Sequence, residues 1–358
     1  MILAALPGLG PISVRKFDRE LEGGAAALLQ MNEAQRQAWC RADVCRQLAT
    51  TEQFLPLAAV HAAMNAMPAV FLTDRDADYP QRLMPYPDRP LGLYRYRADA
   101  SLGDRCVAIV GTRRPTSYGR KQARIFAARL AEAGFTIVSG MAEGIDTEAH
   151  RATLAAGGRT AAVLGGGLKR CYPSSNRGLM EDIAKSGGVW SEFPLWRSAD
   201  RRSFPQRNRI VSGVSEAVIV VESGASGGSL ITARMAAEQG KPVFVIPGRI
   251  DSPESSGCHA LIRDGAQLVS SPNDILEEVA AERCSISSRE TLSKVSLKPD
   301  LQGTAALIWT FLNNHTAASM ESLANELKLP VACIGSELIQ LEIDGWIAKR
   351  LDGRYEIL

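Results

Sequence analysis

The sequence predicts an α/β protein: an extended Rossmann-like domain built on a parallel sheet, preceded by a small helical domain and followed by a winged helix. Short apolar runs alternate with amphipathic stretches between residues 105 and 270. The runs are Cys106-Val-Ala-Ile-Val110, Phe135-Thr-Ile-Val138, Thr160-Ala-Ala-Val-Leu164, Ala217-Val-Ile-Val-Val221 and Val243-Phe-Val-Ile246. A strand with one wet face alternates polar with apolar, so these near-continuous runs read as strands buried on both faces, between layers of helices. Gly134, Gly157-Gly158, Gly187-Gly188 and Gly240 fall where the intervening helices should stop, because a helix C-terminus favours a residue that enters the left-handed region freely.

Along the chain, Leu6-Pro-Gly-Leu-Gly10 is a tight glycine turn, and residues 25–45 are helical in character, giving a helical domain over 1–64. Such a turn exposes amides that would suit a phosphate, but its shortness favours a structural role. Pro68, Pro80, Pro85, Pro87 and Pro90, interleaved with tyrosines, predict an extended connecting segment over 68–104. The sheet domain spans 65–282, with helices expected over 120–133, 145–155, 175–185 and 230–238. Residues 283–303 lack apolar periodicity and read as a linker. Helical stretches at 305–312, 320–327 and 333–344, then a hairpin turned at Asp352-Gly353, outline a winged helix over 304–358. Its candidate recognition helix, 331–342, holds two acidic residues and neither Lys nor Arg. That composition suits protein contact or regulation better than a major groove.

The chain of 358 residues is 46% apolar and 22% charged, which is ordinary globular composition. No run approaches the roughly 18 apolar residues of a spanning helix, and the start lacks a basic leader pattern, so a cytoplasmic protein without membrane contact is expected. The seven cysteines are scattered and include no C-x-x-C pair, which points away from a disulfide framework or a zinc site. The net charge of +2 hides its distribution. Residues 105–270 carry 22 basic against 14 acidic side chains, while the regions on either side are mildly acidic. A basic middle domain is the footprint of a polyanion partner.

Four segments supply the chemistry. They are Gly111-Thr-Arg-Arg-Pro-Thr-Ser-Tyr-Gly119, Ser139-Gly-Met-Ala-Glu-Gly-Ile-Asp146, Phe204-Pro-Gln-Arg-Asn-Arg209 and Ser226-Gly-Gly-Ser229. An open parallel sheet gathers the loops at its carboxyl edge, so segments distant in sequence converge there. Glycines at strand ends let backbone amides approach an anion, and each following helix turns its positive end toward it. The candidate phosphate-binding set is Gly111, Thr112, Arg113, Arg114, Ser117, Gly119, Ser139, Gly140, Lys169, Arg207, Asn208, Arg209, Gly227, Gly228 and Ser229. Tyr118 and Tyr172 could stack on bases or pack under loops. Asp146 and His150 are one helical turn apart, and a capping and filling role suits them better than acid/base chemistry. No dinucleotide fingerprint, Walker loop, nucleophile with a base, or carboxylate cluster for a metal is present, so no cofactor and no catalysis are expected.

As a set, these residues resemble the DprA/Smf family of DNA-processing proteins. The likeness spans roughly 80–270: Val107-Ala-Ile-Val-Gly-Thr-Arg113, Tyr118-Gly119, Val138-Ser-Gly140, Gly144-Ile-Asp146, Ala149-His150, Ala162-Val-Leu-Gly165, Tyr172-Pro173, Ser191-Glu192, Phe204-Pro205, Arg207-Asn-Arg209, Gly228-Ser-Leu-Ile-Thr-Ala233 and Pro247-Gly248. The resemblance implies a Rossmann-like domain that binds and protects single-stranded DNA and loads the RecA recombinase during natural transformation. It further implies a sterile-alpha-motif-like N-terminal domain and a homodimer with His259, Ile262 and Leu268 at the interface. Met141 and Glu143 stand where the family commonly has leucine and a variable residue, and Gly178 stands where many members carry a basic residue, so the phosphate contact of such a residue is not expected at that position. The alternative class is a Rossmann-like nucleotide phosphoribohydrolase; Gly227-Gly-Ser-Leu-Ile-Thr-Ala233 lacks the glutamate such enzymes place after their glycine loop. A third reading is a scaffold that chiefly contacts RecA.

Overall fold

The computed structural model describes residues 1–50, 55–97, 101–279, 301, 303–314, 317–344, 346–350 and 353–357. The chain divides into two compact units, Met1–Glu282 and Arg283–Leu358.

The first unit opens with α1 (Ile2–Ala5), α2 (Pro11–Glu20), α3 (Ala27–Gln30), α4 (Glu33–Gln37), α5 (Ala42–Ala49) and α6 (Leu57–Ala66). Between 25 and 45 there are short helices rather than a long one. Asn32 forms a capping box with Gln35, and that reciprocal pair starts a new helix where the preceding turn has ended. Leu6, Leu9, Val14, Phe17, Leu28, Val44 and Leu48 make the core of this part.

A nine-stranded sheet follows, made of β1 (Ala69–Thr73), β2 (Gly92–Tyr96), β3 (Cys106–Val110), β4 (Thr136–Ser139), β5 (Thr160–Leu164), β6 (Val189–Ser191), β7 (Ala217–Val220), β8 (Val243–Val245) and β9 (Gln267–Leu268). Their order is β1-β2-β6-β5-β4-β3-β7-β8-β9. The seven strands from β6 to β9 run parallel, and β2 and β1 extend that sheet in antiparallel register. Residues 68–104 are therefore more than an extended connector. Pro68 and Pro90 sit just outside β1 and β2, so they flank the pairing instead of blocking it.

Helices α7 (Ser117–Glu132), α8 (Ile145–Ala155), α9 (Arg177–Ala184), α10 (Ser203–Val214), α11 (Gly228–Glu238) and α12 (Ser256–Arg263) cover the sheet. The side chains of β3 alternate between two cores. Cys106, Ala108 and Val110 meet Ile210, Val211 and Val214 of α10 and Leu230, Ala233 and Ala236 of α11. Val107 and Ile109 meet Phe126, Ala127 and Leu130 of α7 and Ile145 and Ala149 of α8. Strand period 2 feeding two helical layers is the reason the run reads as continuously apolar. Neighbouring β3 and β7 mark the point where strand order reverses, the usual ligand crevice of an open α/β sheet.

The second unit carries α13 (Gly303–Asn314), α14 (Met320–Leu327) and α15 (Val331–Ile343), then the antiparallel pair β10 (Ile347–Lys349) and β11 (Tyr355–Ile357). Ile308, Leu312, Leu323, Ile334, Leu338, Ile347 and Tyr355 form its core. Residues 283–300 of the expected linker, and Asp352 of the expected turn, lie outside the described residues.

Candidate nucleic-acid interface

At the switch point the carboxyl ends of β3, β4 and β7 surround a cavity of about 360 Å³. Gly111, Thr112 and Arg113 come from the loop after β3, Gly140, Ala142 and Asp146 from the region after β4, Phe204, Arg207 and Asn208 from α10, and Gly227, Gly228 and Ser229 from the start of α11. Nine of the fifteen residues singled out from sequence line it: Gly111, Thr112, Arg113, Gly140, Arg207, Asn208, Gly227, Gly228 and Ser229. The strand ends are tied across the switch point, where Thr112 N–H donates to the Glu222 carbonyl at 2.7 Å. A side chain at Gly140 would run into the Arg207 guanidinium, so the glycine is what lets that arginine lie across the loop.

The Phe204–Arg209 run belongs to the first turns of α10 rather than to a loop at the strand edge. Asp200 starts this helix by accepting from the Arg202 and Ser203 amides at 2.7 and 2.8 Å. Pro205 falls in the first turn, where a missing N–H breaks no helical bond. Residues two apart on a helix point to opposite sides, and the two arginines do so. Arg207 is 6% exposed and lines the cavity; its Nη1 donates to the Gly140 carbonyl at 2.5 Å and to the Val163 carbonyl at 2.6 Å. Arg209 faces away, its Nη2 holding both Glu192 oxygens at 2.6 Å.

The remaining candidates sort by exposure. Arg114, Ser117 and Lys169 are exposed outside the cavity. Ser139 is fully buried and donates its hydroxyl to the Ile109 carbonyl at 2.6 Å. Gly119 sits against the Glu222 carboxylate, which accepts from Thr116 at the start of α7. Tyr118 is 42% exposed and donates to the Pro247 carbonyl at 2.8 Å. His259 lies 3.0 Å from the Gly248 carbonyl, Ile262 is half-buried, and Leu268 is half-exposed on the edge strand β9.

Charge in the cavity wall is set by burial. Asp146 accepts from the Gly140 and Ala142 amides at 3.1 and 3.3 Å, which shapes the loop it follows. Burial pushes its carboxyl up, and the Arg207 charge pulls it back. Burial lowers Arg207 to about 10, with Asp146 opposing, so the guanidinium stays protonated at neutral pH. His150 is fully buried; burial first and the Arg207 charge second hold its imidazole neutral, at about 3. Thr160 gives its hydroxyl hydrogen to the Ile137 carbonyl, so His150 Nδ1, 2.7 Å away, must be the donor in that pair.

Sequence reasoning passed over Phe204 as a ring. Arg113 lies over it at 5.0 Å and Arg207 at 5.9 Å, and Tyr172 packs against it at 5.8 Å between ring centres. The signal was present in the motif, since an aromatic beside two arginines is the make-up of a base-stacking platform. Among the described residues no cluster of potential metal ligands occurs, and no helix is long and apolar enough to cross a membrane.

Comparison with known proteins agrees with this geometry. The chain is 45% identical over 215 residues to protein Smf of Synechocystis, a match covering 59% of this chain and 54% of that protein. It therefore spans about half the length of that relative. The X-ray structure of DNA processing protein A (DprA) from Streptococcus pneumoniae is similar with a TM-score of 0.63 at 33% identity, covering 76% of this chain and 94% of that one. A Helicobacter pylori DNA processing protein A, described for its single-stranded DNA binding mode, is similar with a TM-score of 0.52 at 31% identity, covering 60% and 96%. The family pattern of DNA recombination-mediator protein A matches residues 70–280. With that match running through every strand and loop around the cavity, the chain belongs to the DNA recombination-mediator protein A family, the DprA/Smf DNA-processing proteins.

Proposed function

We propose that this chain binds single-stranded DNA along the carboxyl edge of its sheet, without hydrolysing it, and hands the strand to a RecA-type recombinase as a cytoplasmic homodimer. The observation that carries the reading is the meeting of three glycine-bearing loops with Arg113, Arg207 and the Phe204 ring around one cavity. Loop amides and an exposed guanidinium suit phosphate oxygens of any sequence, and a ring among them suits an unpaired base. The single-stranded DNA binding described for the Helicobacter pylori relative supports the same partner. Ile250, 95% exposed in the loop before α12, and Leu268, 50% exposed on β9, are large apolar side chains left open to solvent, which supports pairing of two copies through α12 and β9. In this reading, residues 1–64 are a sterile-alpha-motif-like domain, 65–282 bind the strand, and 304–358 form a winged helix joined by a linker.

A gel shift with single-stranded and duplex oligonucleotides tests the reading. Arg113→Ala should weaken single-strand binding about tenfold, the scale of one charge-assisted contact, regardless of sequence. Unchanged affinity would remove the cavity from the DNA path. Release of free base from nucleoside monophosphates by the purified protein would instead support the hydrolase alternative.

A further inference from the structure

Beyond the cavity, the loops after β5 and β6 carry a second group of rings and cations. Tyr172 is 55% exposed and Trp196 is 39% exposed. The two loops are laced together: Lys169 N–H donates to the Leu195 carbonyl and Gly167 N–H to the Arg197 carbonyl, both at 2.8 Å, and Arg170 Nε donates to the Trp196 carbonyl at 3.4 Å. That lacing holds the segment bearing the indole beside Lys169 and Arg170. Arg170 and Tyr172 border a small recess of about 30 Å³ that also takes in Ala199, from the loop carrying Trp196, and Arg113 and Phe204 from the cavity. The surface is thus continuous from Phe204 through Tyr172 to the Trp196 loop.

The basic side chains of this rim differ in what occupies them. Arg197 is committed, with Asp200 at 3.4 Å and the Phe193 ring at 4.4 Å. Lys169, Arg170, Arg201 and Arg202 have no carboxylate partner among the described residues. Cations without a carboxylate partner, on loops that flank an exposed indole at the edge that holds the cavity, match the make-up of a site for unpaired nucleic acid, where cations track the backbone and a ring takes a base of any identity.

We propose that Trp196, with Lys169 and Arg170, is a second stacking subsite that takes a nucleotide of the same single strand once it has passed the cavity. The proposal rests on the single-strand reading above and extends its footprint across the loops after β5 and β6. Binding of the full chain to oligo(dT) of about four and about twelve nucleotides tests it, since the shorter fills the cavity alone. Trp196→Ala should lose about tenfold in affinity for the longer oligonucleotide and nothing for the shorter. Trp196→Phe keeps a ring and should recover most of the loss, while removing part of the fluorescence quenching that the longer oligonucleotide causes in the wild type. Equal affinity of wild type and Trp196→Ala at both lengths would overturn the subsite alone. Equal losses at both lengths would also overturn it, since the change would then act on the cavity. A wild-type chain that binds neither length would sink the single-strand reading itself.

Discussion

Arg207 and Arg209 show how two identical side chains two positions apart acquire different work. Arg207 braces the cavity wall, and Arg209 neutralises Glu192, whose side chain is 12% exposed. Burial raises the Glu192 carboxyl and Arg209 lowers it. Arg209→Ala should therefore cost stability, about 3 kcal/mol for a carboxylate left buried without its partner. Chemical denaturation would measure the loss, and adding Glu192→Gln should recover part of it; a neutral Arg209→Ala would contradict this assignment. His150 gives a pH signature. Its folded pKa of about 3 lies below the ordinary 6.5, so between those values the unfolded chain takes up a proton that the folded one refuses. Stability should fall as pH drops through that window, by at most about 1.4 kcal/mol per unit from this residue. Melting temperature against pH should slope less steeply for His150→Gln than for wild type.

At the scale of elements, α10 decides the site, because it carries Phe204, Arg207 and Asn208 and is fixed at both ends. The Asp200 carboxylate accepts from the Ser203 amide at its start, and Lys241 Nζ donates to the Ser212, Gly213 and Ser215 carbonyls at 2.8, 2.6 and 2.6 Å at its end. Three acceptors match the three hydrogens of an ammonium, so Lys241→Met should leave them unmatched and cost about 2 kcal/mol, read by thermal unfolding. This helix was hard to see in the sequence: Phe-Pro-Gln-Arg-Asn-Arg shows no apolar period, and proline normally argues against a helix. Only the tolerance of a first turn for proline allows it. The strands from β3 onward were legible where they are long and apolar, whereas β1 and β2 were hidden by the prolines around them. The two-residue β9 offers too few positions for any pattern. The cavity's glycine loops could be read from sequence because strand ends must converge; the opposite aims of Arg207 and Arg209 could not, because they follow from α10.

For the whole molecule, the basic excess of residues 105–270 makes salt the simplest probe. If about four phosphates are neutralised, log affinity should fall against log salt with a slope of roughly 3, measured by titrating oligo(dT) at several salt concentrations. A flat response would mean that phosphates contribute little. The division at residue 282 separates this basic unit from an acidic one, and α15 in the latter exposes Val331, Ile339 and Ile343 where a DNA reader would carry cations. A further consequence follows from the bonds of Arg207 to the Gly140 and Val163 carbonyls. Since they are made in the free chain, this side chain is already in place for the strand that the single-strand reading brings to the cavity. On that reading, oligonucleotides should differ chiefly in how long each complex survives, which dissociation kinetics would measure.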